Sequence, residues 1–442
     1  MVFFEALKNI FMKYDFDYDI MDMDLHEFHP QIRILLIFNG IFFNNQNSYL
    51  RFLWPFLSIM LALIASCFEL IFIYHGVDIE DYSFATECFC YFLILSTIPI
   101  VYISMLFNKA KTMQLLNSMN RDFHYICNLG SKYRKSFLEG QLLIWQLCLS
   151  WFIFVFIIVF MYIGTTLAIL LHQSLFATQR EYMVRPLMFP LWLPADDPYR
   201  TPNYEIFLFF EIILTFMVPQ TFCVYIYVLF HILLHHYYIM NMIIFDSEVL
   251  FEGLDESVVE LSCSDPCRVE VQLTLNNRMR RIVKWHNLVF MSIEDVSSVY
   301  GPPLVYQVTV SSLAICLMMY QVADSIDNGK FNVLFAMLLI ATCLQLWIPC
   351  YLGTLIRNKA FDVGDAMWNS GWDKTPLSCL IRNDIIIVIM RSQKPVSIKF
   401  TGLPNLELET FSSLKKLSLF IKIMTIYHVL KKEETNNTLS CF

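Results

Sequence analysis

Charge is what this chain has least of. Only 16% of its 442 residues are Asp, Glu, Lys or Arg, against about 25% in a typical water-soluble domain. That shortfall excludes an ordinary soluble globular protein. Nucleic acid is excluded as a partner, because no basic patch exists and the net charge of −8 is spread over the loops. No secretory leader is expected either. Residues 14–29 are acidic, with Asp15, Asp17, Asp19, Asp22, Asp24 and Glu27, so the first true span is expected to direct its own insertion.

Catalytic patterns are equally scarce. There is no Gly-x-Ser-x-Gly, no phosphate loop and no convincing pair of carboxylates, which argues against an enzyme and implies no cofactor. The thirteen cysteines lie mostly inside apolar runs, as Cys67, Cys148, Cys223, Cys316 and Cys343 do, so they read as small buried residues and not a disulfide framework. Cys263 and Cys267 share a polar loop, but that spacing alone does not make a metal site. His231, His235 and His236 have helical metal-ligand spacing without a supporting carboxylate, and no metal is expected.

What the chain does have is apolar bulk. It is 57% hydrophobic, with forty Phe and 22 Met, and its mean hydropathy is +0.53. This is a polytopic, all-α membrane protein. Its spans are expected at Phe52 to Tyr74, Phe84 to Phe107, Gln141 to Leu171, Tyr204 to Tyr238, Val299 to Val322 and Phe331 to Ile356. The apolar piece Ile34 to Phe43 is too short to cross and reads as an interfacial helix. Residues 239–285 read as a polar connector, acidic and then basic.

Bases fall on alternate connectors. They occupy the amino-terminal segment (Lys8, Lys13, Arg33, Arg51), the second-to-third connector (Lys109 to Lys135), the fourth-to-fifth (Arg268 to Lys284) and the segment after span six (Arg357 to Lys399). The opposing loops hold only Arg180, Arg185, Arg200 and Lys330. This asymmetry places the amino terminus in the cytoplasm.

A last helix, Phe411 to Leu430, sets Lys415, Ser418, Lys422 and Thr425 on one face at helical spacing. Spanning a membrane, that stripe must face protein or water. Lying on the surface, the same helix would put its lysines among head groups. Stripe geometry alone does not separate the two. If the helix crosses, there are seven transmembrane helices and the carboxyl terminus is extracellular.

The tail carries the resemblance. Trp368-Asn-Ser-Gly-Trp372 with Pro376, then Met390-Arg-Ser-Gln-Lys-Pro395, then Leu406-Glu-Leu-Glu-Thr-Phe411 resemble the ordered tail of the insect odorant receptor family. Pro190-Leu-Trp-Leu-Pro194 resembles its second outer loop, and His286, Cys316 and Cys350-Tyr-Leu-Gly353 fall where that family has similar residues. The resemblance implies an odour-tuning subunit of a non-selective cation channel, gated by a small volatile ligand and assembled with a co-receptor as a heterotetramer. It implies a plasma-membrane location in sensory neurons. The co-receptor itself is disfavoured, since its fourth-to-fifth connector is longer. A gustatory-type channel and a secondary transporter are the alternatives, the latter weakened by the lack of an internal repeat.

The resemblance divides the chain into a cytoplasmic segment with its interfacial helix (1–51), a six-span ligand-binding bundle (52–356), a cytoplasmic anchor (357–406), a pore-lining helix (407–430) and an extracellular tail (431–442). It makes Trp372, Arg391, Ser392, Gln393 and Pro395 subunit-anchor residues and gives the Lys415, Ser418, Lys422 and Thr425 face a pore to line. The candidate ligand contacts are Tyr91, Phe92, Tyr162, Phe209, Phe210 and Phe335, aromatics in the outer halves of the spans. Two departures bear on conduction. Leu417-Ser-Leu-Phe420 stands where the family often has Tyr-Ser-Tyr-Phe, and Lys422 stands where it narrows the pore with an apolar residue. Four such lysines would repel cations, so the chain is not expected to conduct as a homomer.

Overall fold

The computed structural model describes residues 9–13, 16–18, 20, 23–40, 52–176, 185–193, 197–329, 331–394, 396–399 and 407–409. Ten α-helices make up its elements: α1 Leu25–Phe28, α2 Pro30–Phe38, α3 Leu53–Asp78, α4 Tyr82–Phe107, α5 Lys109–Cys127, α6 Ser131–Phe176, α7 Asn203–Glu248, α8 Pro266–Asp327, α9 Val333–Trp368 and α10 Arg382–Ser392. Among the described residues there is no β-strand. Among the described residues, six helices are long and apolar enough to cross a membrane, namely α3, α4, α6, α7, α8 and α9. The anticipated last helix, with Lys415, Ser418, Lys422 and Thr425, lies outside the described residues, as does Pro395.

Helix α3 buries Ser58, Ala62, Ala65, Ser66, Glu69, Phe72 and Gly76. That is one face at helical period, made mostly of small residues that let a neighbouring backbone come close. Leu95, Ile98 and Tyr102 of α4 fill it, together with Leu214 of α7. Its other faces are exposed apolar surface, such as Phe56 at 63% and Ile71 at 51%, consistent with lipid as its solvent. Helix α5 is different: its charged residues leave one apolar stripe, Leu115, Leu116, Met119, Phe123 and Ile126, which is buried at the base-rich end of the bundle.

The expected connector 239–285 is much shorter than it reads. Helix α7 continues to Glu248 and α8 begins at Pro266, so helix absorbs most of it. The reason is periodic. Leu275, Met279, Ile282, Trp285, His286 and Val289 form a buried stripe on α8, while Arg280 and Lys284 are exposed on the opposite face and Arg278 donates to the Val249 and Leu250 carbonyls just past the end of α7. Asp265 starts the helix by accepting from the Cys267 amide at 2.9 Å, with Pro266 in its first turn. At 1.5 Å per residue α8 is about 93 Å long, far more than a bilayer core of about 30 Å. It projects well past the membrane with α7.

These projecting ends are clamped. The carboxylate of Asp246, fully buried on α7, accepts from Arg281 on α8 at 2.7 Å and from the Tyr133 hydroxyl on α6. One side chain thus ties three helices. Asp246→Ala leaves Arg281 and Tyr133 without their acceptor and is expected to cost about 2 kcal/mol, read as a lowered thermal midpoint of the solubilised protein. Helices α6 and α7 also meet closely: a Cβ at Gly140 would stand 2.3 Å from the Tyr238 ring, so only glycine allows that contact.

Beyond α9, Pro376–Leu380 forms a short 3-10 turn before α10. Val396 and Ile398 follow, buried in an extended stretch beside α8. The Lys399 amide donates to Ser297 at 3.2 Å, and the Lys399 carbonyl lies 3.2 Å from where a Gly301 Cβ would stand.

Candidate ligand pocket

Inside the bundle, α4, α6, α7, α8 and α9 surround a cavity of about 130 Å³. Its described lining holds no Asp, Glu, Lys, Arg or His. Apolar wall comes from Trp151, Val155, Val159, Val310 and Leu338, among others, and polar groups come from Tyr91, Thr97, Tyr162, Thr215, Ser311 and Thr342, with Gln307 and Gln345. Much of that polarity is already spent. Thr97, Thr215 and Thr342 donate to the carbonyls of Leu93, Glu211 and Leu338, four residues back, at 2.8–2.9 Å. The Gln307 amide donates to the Gln345 carbonyl at 3.3 Å.

The tyrosines keep more capacity. Tyr91 and Tyr162 interact through their hydroxyls. Neither is held by an aligned short bond, since Tyr91 reaches the Met188 carbonyl at 3.5 Å and the buried Tyr162 oxygen has no well-aligned partner. A chamber of this kind recognises an uncharged, mainly apolar molecule with one weakly polar group.

A loop roofs the cavity. The carboxylate of Glu211 on α7 is buried and accepts from the Met188 amide at 2.7 Å. The Tyr204 hydroxyl donates to the Pro186 carbonyl at 3.1 Å, and Phe189 lies edge-on to Tyr91, ring centroids 4.8 Å apart. Glu69 is buried as well.

Of the six aromatic candidates, the structure brings Tyr91 and Tyr162 to the cavity. Phe335 is buried and packs edge-on against Tyr91 at 5.8 Å, and Phe92 is half-buried in the same cluster, so both support the wall from behind. Phe210 packs half-buried against the α3–α4 cluster, and Phe209 is 67% exposed on the outer face. Neither of those two residues lines this cavity. On a helix, each lies about 100° from its neighbour, and Glu211 and Thr215 take the inward direction instead. Gln307, Ser311, Thr342 and Phe189 are lining residues that the sequence did not single out. For the three polar ones the only sequence signal is a polar residue in an apolar run.

The anchor candidates separate in the same way. Trp372 is half-buried, edge-on to Trp368 at 5.9 Å and beneath Arg382 at 5.8 Å. Arg391 is exposed and stacks over Phe290 at 4.8 Å, and Gln393 is exposed. Ser392 points inward, against α8 and α9. It is 2% exposed, donates to the Val388 carbonyl at 2.9 Å, and lies 3.2 Å from the His286 ring nitrogen. It sits so close to α9 that a Cβ at Gly364 would stand 2.9 Å from its own.

Helix α9 connects the cavity to residues near the chain's carboxyl-terminal end. Thr342 and Gln345 line the cavity. About 18 Å further along the helix, Arg357 pairs with Glu407, and the Leu408 amide donates to Thr354 at 2.9 Å.

The three histidines of α7 are buried, and no group of His, Cys, Asp and Glu among the described residues could hold a metal. Of the three, His235 belongs to a hydrogen-bonded set at the base-rich end, His236 bonds the Ile232 carbonyl of its own helix, and neither ring nitrogen of His231 has a hydrogen-bond partner among the described residues. His235 contacts Asp122 at 3.2 Å and Gln141 at 3.4 Å, and Gln141 contacts His29 at 3.2 Å. Burial, then the neighbouring His231 and Lys13, hold His29 well below the usual imidazole range, so it docks as a neutral ring.

Fold and cavity together define a helical membrane protein with a small, uncharged internal pocket. The family description "7tm Odorant receptor" matches residues 83–419, and the chain belongs to that family, whose members are receptors and not enzymes. Among curated relatives from Drosophila melanogaster, Odorant receptor 67c is 28% identical over 149 residues, covering 33% of this chain and 36% of that protein. Odorant receptor 82a is 30% identical over 122 residues, covering 28% and 31%. The chain therefore matches about a third of the length of those relatives. The insect olfactory receptor OR5 from Machilis hrabei has the same fold over 90% of this chain and 98% of its own, with a TM-score of 0.69 at 16% identity. The same receptor in complex with eugenol gives 0.70 at 17% identity.

Proposed function

We propose that this chain is an odour-tuning receptor subunit whose internal cavity takes a small volatile molecule and whose occupancy opens a non-selective cation channel. The observation that carries the reading is the uncharged chamber under the loop 185–193, with the Tyr91 and Tyr162 hydroxyls as its polar handles. The relative solved with eugenol has the same fold, and eugenol is a compact aromatic of the kind such a chamber suits. The amino terminus is read as cytoplasmic and the tail as extracellular, in the plasma membrane of a sensory neuron.

In this reading, ligand contact with Thr342 and Gln345 moves α9, and α9 moves the chain after Glu407. The channel forms with a co-receptor, through the segment that carries Trp372, Arg391, Ser392, Gln393 and Pro395. Lys415, Ser418, Lys422 and Thr425 border water beside the ion path. Whole-cell recording against a panel of volatiles tests this reading. Current is expected when the chain is expressed with a co-receptor and not when it is expressed alone. Lys422→Leu is expected to raise single-channel cation conductance while leaving the half-maximal odour concentration unchanged, because it removes a fixed positive charge from the path. Unchanged conductance and selectivity would remove that face from the pore.

A further inference from the structure

A second cavity lies across the wall from the first and has a different character. It is about 460 Å³, enclosed by α2, α3, α6 and α7. Val155, Val159 and Pro219 line both spaces. Three of its rim residues, Ile34, Phe156 and Phe216, are 53%, 59% and 51% exposed on the outer surface, so it opens toward the lipid.

Two buried amide atoms give this space its chemistry. The Trp54 indole N–H donates to the Gln220 side-chain oxygen at 3.1 Å. Because an indole N–H only donates, the Gln220 oxygen is fixed and its NH2 group is turned the other way. That nitrogen is buried with no partner, and so is the side-chain oxygen of Gln31. Both residues line the cavity, whose other described lining is apolar or aromatic, with no charged side chain. Gln220 sits about 25 Å along α7 from its start, level with Trp54 in the first turn of α3, and an amide buried there without a partner is costly.

We propose that this cavity is a binding site for an uncharged, membrane-soluble alcohol: an apolar body ending in one hydroxyl. A hydroxyl both accepts and donates, so it answers Gln220 and Gln31 together, and it does so whichever way the Gln31 amide is turned. A plain hydrocarbon leaves both amides unanswered, and a charged head group finds no counter-ion. The hydroxyl has two sources, a sterol of the bilayer or a long-chain alcohol arriving from outside. The inference rests on this cavity's own geometry and is independent of whether the first cavity gates a channel.

The test is photo-labelling of the full chain in lipid nanodiscs with a diazirine sterol and, separately, a diazirine-bearing dodecanol. At least one probe is expected to label the peptides containing Phe152 to Phe156 and Phe216 to Gln220. Excess unlabelled alcohol should displace it, and the matching hydrocarbon without a hydroxyl should not. Labelling by the sterol alone assigns the site to the bilayer, and labelling by dodecanol alone assigns it to an external alcohol. Gln31→Leu with Gln220→Leu should cut labelling at least fivefold. If neither probe labels these peptides, if the hydrocarbon competes equally, or if the folded double variant labels as wild type does, the proposal is wrong. The wild-type competition decides the matter should the double variant not fold.

Discussion

Arg357→Ala is expected to remove most of the odour-evoked current while leaving surface expression and ligand binding near wild type. Arg357 stands on α9, beyond the cavity residues Thr342 and Gln345, and holds Glu407 near the carboxyl-terminal end of the chain. Its side chain is 24% exposed and that of Glu407 9%, so the pair is partly shielded and worth more than a fully solvated one. A charge-assisted contact contributes about 2 kcal/mol, and each 1.4 kcal/mol is a factor of about ten in an equilibrium. If the pair transmits motion from cavity to channel, maximal current should fall by roughly tenfold or more. Glu407→Ala should match it, and the double variant should be no worse than either single one. Additive losses, or a normal maximal current, would show that the contact is only structural.

Ser311→Leu is expected to act at the other end of the same route. Ser311 is 5% exposed and faces a cavity of only about 130 Å³. A leucine there occupies much of the space a ligand needs. The bundle has little slack, and overpacking a filled site costs about 1–3 kcal/mol, which converts to a shift of roughly ten- to a hundredfold in the half-maximal odour concentration. The smaller change Tyr162→Phe deletes only a hydroxyl. It should discriminate among volatiles, weakening those with a hydrogen-bonding group and sparing pure hydrocarbons. A uniform shift for all volatiles would mean that Tyr162 shapes the wall without contacting the ligand.

The six described spans were legible in the sequence because apolar length alone marks a membrane helix. Where polarity and periodicity disagree, hydropathy misleads. Arg278, Arg280 and Lys284 made residues 239–285 look like a connector, yet Leu275, Met279, Ile282 and Val289 carried a 3.6-residue stripe through that stretch. The cavity was harder to read. In an all-round apolar helix, lipid and protein faces have the same composition, so Phe209, Phe210 and Tyr162 look equivalent until packing turns Phe209 outward and Tyr162 inward. Ser392 shows the same limit. A serine between an arginine and a glutamine reads as surface, and the close approach to Gly364 that draws it inward depends on a residue 28 positions away.

The central claim is that a small molecule in this cavity opens a cation path directly, and excised-patch recording tests it most closely. Patches from cells expressing this chain with a co-receptor should respond to an active volatile in solution free of ATP and GTP. That current should be absent when this chain is omitted, and its half-maximal concentration should shift at least tenfold with Ser311→Leu at equal surface expression. A volatile-evoked current whose half-maximal concentration is the same in wild type and Ser311→Leu would contradict the account.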